Sequence, residues 1–156
     1  MADLIVTHEP NNDPDYEADY DSWLNHQIHL LRSGNLNGLD ILHLIEELEG
    51  LNKSNKRELR SYLVVLLTHL LKWEYQPQNR CGSWSGSIKN SQPQRNYVGI
   101  KRPAIALKNY LPEVLAGAYE DAKEWASEET GIKVHLFPAE CPYSIAQLKD
   151  KEWFPD

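Results

Sequence analysis

The residues best suited to chemistry lie on one predicted helix, where a histidine is followed by two carboxylates. His43 precedes Glu46 and Glu47 by three and four positions. This spacing puts side chains on one helix face, so an imidazole and a carboxylate could share a metal ion. A di-iron bundle would need Glu-x-x-His from two helices, but the chain has His-x-x-Glu once and no Glu-x-x-His. Two interpretations follow: a metal-dependent hydrolase site, or the solvated polar face that we favour.

A further histidine, His69, lies within the leucine-rich segment 59–71. A lone histidine there is more often a hydrogen-bonded core residue than a ligand or a base. The chain contains no Gly-rich phosphate loop, no Gly-x-Ser-x-Gly elbow and no His-Glu-x-x-His zinc helix. We therefore assign no catalytic residue and expect no cofactor or metal ion.

Aromatic and basic side chains alternate in the polar segment 72–102. The candidate members of a binding surface there are Lys72, Trp73, Tyr75, Arg80, Trp84 and Arg95. Trp, Tyr and Arg dominate the binding energy of many protein interfaces. Cations beside stacking rings also suit single-stranded nucleic acid. A third interpretation is that the rings cover the core while the cations pair with acidic segments.

Charge is unevenly distributed along the chain. The net charge of −7 divides into −10 over residues 1–52, +9 over residues 53–108 and −6 over residues 109–156. If the acidic segments pack beside the basic one, their fields largely cancel, and this is the interpretation that we favour. The alternative is a basic surface kept for an anionic partner.

Length and composition indicate an ordinary globular protein. The chain has 156 residues, of which 41% are hydrophobic and 25% charged, so we expect one domain with its own core. Cys81 and Cys141 are too far apart for a Cys-x-x-Cys zinc site. The N-terminus does not resemble a signal peptide, and the longest apolar run, Leu63–Leu67, is far shorter than the roughly 20 residues that span a bilayer. We expect a cytoplasmic protein without a membrane partner.

Periodicity and capping residues predict helices and no strand. Helices are predicted at 15–33, 40–50, 55–74, 83–91, 103–111, 112–130 and 145–150. A single kinked helix is the alternative for the second and third of these. The expected caps include Asp13, Asp40, Ser54 and a Ser144–Gln147 capping box, with glycine stops at 34 and 131. The predicted fold is an all-α irregular bundle of four or five main helices, residues 15–156, preceded by a loose arm at 1–14.

Several blocks of the chain resemble a known family. They are Tyr20–Leu24, Leu44–Glu49, Leu66–Pro77, Ala118–Ala122, Glu129–Gly131 and Phe137–Tyr143. In this order they are similar to the family catalogued as domain of unknown function twenty-nine, from about Tyr16 to the C-terminus. The resemblance implies an all-α bacterial protein, and it implies no activity. The family continues after its Ser-Trp pair with an Arg-rich helix, whereas Gly86 and Pro93 here imply a shorter or broken one.

These observations favour a non-enzymatic helical adaptor that binds another protein through segment 72–102. A nucleic-acid-associated protein using the same segment is the first alternative. A metal-dependent hydrolase built on His43, Glu46, Glu47 or His69 is the second.

Overall fold

Five α-helices make up most of the described chain. The computed structural model describes residues 13–91, 103–150 and 152–156, and of residues 103–108 only the backbone. The helices are α1 Tyr20–Ser33, α2 Ile41–Tyr75, α3 Gly82–Ser91, α4 Pro103–Thr130 and α5 Ile145–Lys149. Single turns of 3-10 helix lie at Leu36–Gly38, Pro77–Asn79 and Val134–Leu136. The described residues contain no strand, which confirms the predicted all-α fold class.

The first helix begins later than the sequence predicts. A start near residue 15 is wrong, since α1 begins at Tyr20. Two carboxylates compete for the free backbone N–H groups of this segment. Asp15 accepts a hydrogen bond from the Glu17 backbone N–H at 2.8 Å and so forms a turn. Asp19 accepts one from the Ser22 backbone N–H at 3.1 Å and caps the helix. Gly34, with a φ of 73°, ends α1 as predicted.

The second helix is continuous where the sequence predicts two helices. Gly50 and Ser54, the predicted stop and cap, both lie inside α2, as the single-helix alternative requires. A glycine inside a helix costs only about 1 kcal/mol relative to alanine, so it does not end a helix that good helix formers continue on both sides. Asp40 caps the start of α2 as predicted, because its Oδ1 accepts the His43 backbone N–H at 3.3 Å.

The chain divides into two compact units, Met1–Gly50 and Leu51–Asp156. In the first unit the described part is residues 13–50, which buries Trp23, Gln27 and Leu30 of α1. Most of the predicted N-terminal arm lies outside the described residues, and the prediction of one domain from residue 15 stays a prediction.

The second unit has a hydrophobic core built mainly from α2 and α4. From α2 the core takes large side chains at helical spacing: Leu59, Leu63, Leu66, Leu67, Leu70 and Leu71. From α4 it takes three small side chains, Ala118, Ala122 and Ala126, together with Leu111 and Tyr119. Complementary sizes of this kind allow two helices to fill a core at native density.

The C-terminal segment closes one side of this core through hydrogen bonds. The Tyr119 hydroxyl donates to the Pro138 carbonyl at 2.9 Å, and the Tyr143 hydroxyl donates to Glu74 at 2.7 Å. Burial and this bond to a carboxylate raise the pKa of Tyr143. The predicted capping box of Ser144 and Gln147 is confirmed at the start of α5.

The last long helix also differs from the prediction. Helices at 103–111 and 112–130 form one helix, α4, with Pro112 in its interior rather than at its first position. Gly131, with a φ of 74°, ends α4 as predicted. A proline inside a helix removes one backbone hydrogen bond and crowds the preceding turn. The continuous helix therefore contains a local destabilising residue.

We predict that Pro112→Ala stabilises the protein. In a continuous α4 the alanine restores the missing N–H, and the free energy of unfolding should rise by about 1–3 kcal/mol in urea denaturation. Pro77→Ala is the matched control, because Pro77 opens a 3-10 turn where proline is tolerated. Equal effects of the two substitutions would contradict a continuous α4.

Candidate functional site

A polar cluster in the first unit is centred on Asp40. The Asp40 Oδ2 atom accepts a hydrogen bond from the Trp23 indole at 3.1 Å and lies 2.6 Å from His43 Nδ1. The Asp40 backbone N–H donates to the Gln27 side chain at 2.8 Å. The buried indole and amide of α1 are thus tied to the first turn of α2.

Two tyrosines complete this cluster. The Tyr16 ring stacks on the His43 ring with centroids 4.0 Å apart. The hydroxyls of Tyr16 and Tyr20 donate to Glu47 at 2.7 and 2.9 Å. The hydrogen bond to Glu47 raises the pKa of Tyr16 to about 12. Both tyrosines are therefore neutral hydrogen-bond donors at physiological pH.

Opposing effects set the pKa values of the Asp40–His43 pair. Burial favours protonated Asp40, but hydrogen bonds from His43 and Trp23 outweigh it and lower the pKa of Asp40. The hydrogen bond to Asp40 raises the pKa of His43 against partial desolvation. A carboxylate on Nδ1 orients an imidazole in many catalytic and metal sites, and here the same carboxylate also caps α2.

The predicted metal-site candidates do not converge on one point. Glu46 is exposed, and both Glu47 oxygens accept hydrogen bonds from tyrosines. His69 is half-buried, and its Nδ1 lies 2.9 Å from the Val65 carbonyl of its own helix. Within the parts of the chain that the structure describes, no three His, Cys, Asp or Glu side chains form a group that could hold a metal ion.

The predicted aromatic-basic surface is largely engaged within the second unit. Lys72 is buried on α2, forms an ion pair with Glu129 of α4 and lies 4.5 Å from the centre of the Trp84 ring. Trp84 itself is half-buried on α3. The cation and the ring thus satisfy each other, and neither is fully presented to solvent.

The remaining members of that set have similar contacts. Trp73 packs on Phe154 with ring centroids 4.9 Å apart. Arg80 donates to the Trp73 carbonyl at 2.8 Å and lies over its ring. Tyr75 meets the Phe137 ring edge-on at 5.1 Å, and burial raises its pKa. Arg95 lies outside the described residues.

Basic side chains of α2 in the second unit pair with acids of α4. Lys56 lies 2.7 Å from Glu113, and Arg60 lies 2.8 Å from Asp121. The last pair borders a shallow open depression beside the half-exposed Trp125. Part of the basic charge of residues 53–108 is therefore neutralised by the acidic segment that follows.

The first turns of α2 expose large apolar side chains instead of burying them. We call Ile41, Leu42, Ile45 and Leu48 the α2 face. Their relative exposures are 59%, 76%, 48% and 65%. Ile41, Ile45 and Leu48 have the i, i+4, i+7 spacing that forms one stripe along a helix. A stripe of this kind is usually the buried face of a helix, but in the described part of the first unit it is exposed.

Acidic side chains border this face. Glu46 and Glu49 are exposed, and in the described part of the chain neither takes part in an ion pair. Residues 13–50 contain nine acidic side chains and one basic side chain, Arg32. The α2 face is thus an apolar surface in a strongly acidic unit.

Sequence reasoning missed the participation of Trp23, Asp40 and Tyr16 in one cluster. Asp40 is predictable as a cap from its position before an apolar helix, but its bond to Trp23 joins residues 17 positions apart. Tyr16 and Glu47 are 31 positions apart. Only the aromatic spacing of Tyr16, Tyr20 and Trp23 on one predicted helix could have signalled a cluster.

We predict that Asp40→Asn lowers the pKa of His43. A raised folded-state pKa means that His43 adds stability below its unfolded pKa of about 6.5, and that this stability is lost as the pH rises through the folded pKa. Asparagine still caps a helix, so the variant removes the charge and keeps the cap. An NMR titration of the His43 ring should show a lower midpoint, whereas Asp21→Asn should not change it. An unchanged midpoint in Asp40→Asn would show that Asp40 does not hold the imidazolium.

Comparison with known proteins places the chain in a family. The family model described as "Domain of unknown function DUF29" matches residues 16–154. No curated protein matches the chain, and no solved structure does. Among the helices that the structure describes, none has the length and hydrophobicity of a membrane-spanning segment. The match covers nearly the whole sequence, both units included, and this chain therefore belongs to the DUF29 family.

Proposed function

We propose that this chain is a helical protein-interaction protein and that the α2 face is its contact surface. The observation that carries the proposal is the exposure of four large apolar side chains within about two turns of one helix. Contiguous exposed apolar side chains with a polar border are typical of protein-binding sites. An apolar stripe with this spacing is also the element that recognises a groove or another helix.

This proposal keeps the adaptor function expected from the sequence and changes the surface. Lys72, Trp73 and Trp84 contact residues of their own unit, so they offer a partner less free area than their types suggest. The α2 face, in contrast, has no such cover among the described residues of the first unit. Binding to nucleic acid and hydrolase activity stay alternatives, and a bacterial origin and a cytoplasmic location stay predictions.

The size of the α2 face suits a reversible contact. The four aliphatic side chains are 48–76% exposed, and covering them contributes on the order of 5 kcal/mol, at roughly 1.5–3 kcal/mol for each fully buried side chain. Association itself costs at least about 4 kcal/mol. Additional contacts around the face are therefore needed for micromolar affinity. Micromolar affinity is sufficient for an adaptor that exchanges partners.

We predict that a photoreactive amino acid in place of Leu48 forms a covalent adduct with a second protein in cells that produce this chain. Leu36 provides the matched control, because it is 62% exposed in the same unit but lies outside α2. Illumination should give a discrete adduct from position 48 and none from position 36. The adduct is read as a band of higher mass on a gel probed for this chain.

A second substitution makes this test specific. Ile45→Asp places a charge in the centre of the α2 face without disturbing a buried side chain, and it should abolish the adduct from position 48. Identical adducts from positions 48 and 36, or an adduct that survives Ile45→Asp, would refute the α2 face as the contact surface.

A further inference from the structure

We infer that the partner of the α2 face is a basic amphipathic helix. The inference rests on the proposed function and adds the shape and charge of what is bound. It follows from the geometry of the apolar stripe, the acidic border of the face and the charge of the first unit.

The shape of the stripe fits one helix. Ile41 and Leu48, the ends of the stripe, lie seven positions apart, a length of roughly 10 Å at 1.5 Å per residue. Two neighbouring helices interlock over a short row of this kind when each presents side chains three and four residues apart. An extended strand binds by adding to the exposed edge of a sheet, whereas the α2 face is made of side chains on a helix.

The border of the face selects for positive charge. Glu46 and Glu49 stand beside Leu42 on the same side of the stripe by helical spacing. A partner helix with Lys or Arg flanking its apolar positions would place cations opposite these two carboxylates. Complementary charge of this kind steers association and sets the orientation of the partner.

The same charges disfavour other occupants. A unit with nine acids and one basic side chain over residues 13–50 repels the phosphates of nucleic acids and the headgroups of anionic membranes. A partner helix with acidic edges would place like charges opposite Glu46 and Glu49, and such pairs oppose binding. Three acids of α4, Glu113, Asp121 and Glu129, differ because they already have cationic partners.

The test uses three synthetic peptides of about 18 residues, which is roughly five helical turns. One alternates Leu on one helix face with Lys on the other, the second replaces Lys by Glu, and the third replaces Leu by Ser. Each carries a fluorophore, and the full-length protein is titrated into it at ~50 mM and ~150 mM salt. Fluorescence anisotropy should show binding of the Leu/Lys peptide alone.

Matched variants locate the contact. The double substitution of Ile45→Ser and Leu48→Ser should lower the affinity for the Leu/Lys peptide by at least about 10-fold. Leu36→Ser should leave that affinity unchanged. The double substitution of Glu46→Gln and Glu49→Gln should lower the affinity for this peptide several-fold at ~50 mM salt and by less at ~150 mM salt. Glu124→Gln with Glu128→Gln, two exposed acids of α4, is the control for net charge. Circular dichroism confirms that each variant remains folded.

The outcomes separate this inference from the proposed function. Equal binding of the Leu/Lys and Leu/Glu peptides overturns the basic partner but leaves the α2 face as a contact surface. Binding that survives Ile45→Ser with Leu48→Ser overturns the inference as well, since it would reflect net charge alone. A dimer in light scattering that dissociates in the same variant overturns it in favour of a second copy of this chain. Failure of all peptides also overturns it, and the photo-cross-link from position 48 then decides the proposed function independently.

Discussion

The described part of the first unit depends on the carboxylate of Asp40. This one side chain caps the first turn of α2. It also accepts a hydrogen bond from the buried Trp23 indole N–H of α1 and is hydrogen-bonded to the His43 ring. Buried polar groups such as the indole N–H must find a partner, and leaving one unsatisfied costs about 1–3 kcal/mol. Asp40 therefore fixes where α2 begins and which of its sides turns toward α1. The side that it turns outward is the α2 face.

Local signals in the sequence predict helix ends well when one residue decides them. Gly34 and Gly131 adopt the left-handed conformation that glycine accepts, and Ser144 with Gln147 forms the predicted box. Predictions fail where several weak signals compete. Asp15 and Asp19 both attract free N–H groups, and neither Gly50 nor Pro112 is strong enough to interrupt a helix whose neighbours favour it.

The candidate site is less predictable because its properties arise between elements. The stripe of Ile41, Ile45 and Leu48 is visible in the sequence, but periodicity does not say whether anything covers it. Lys72 and Trp84 show the reverse case, because their residue types suggest an exposed binding surface although both are engaged within their own unit. In the structure Lys72 forms an ion pair with Glu129 of α4 and lies over the Trp84 ring. The ion pair joins residues 57 positions apart, so it depends on tertiary packing that the local sequence does not reveal. Residue types therefore pointed to side chains that form contacts within their own unit, and not to the exposed apolar face of α2.

The most direct test of the account asks whether the α2 face is covered in the cell. A Leu48→Cys variant is prepared with Cys81→Ser, because Cys81 is the exposed natural thiol, and a Leu36→Cys variant in the same background is the reference. The rate of maleimide labelling is compared between the purified protein and intact native cells. The account predicts that position 48 reacts as fast as position 36 in the purified protein and much more slowly than position 36 in cells. Equal labelling of the two positions in cells would contradict the claim that the α2 face binds a partner.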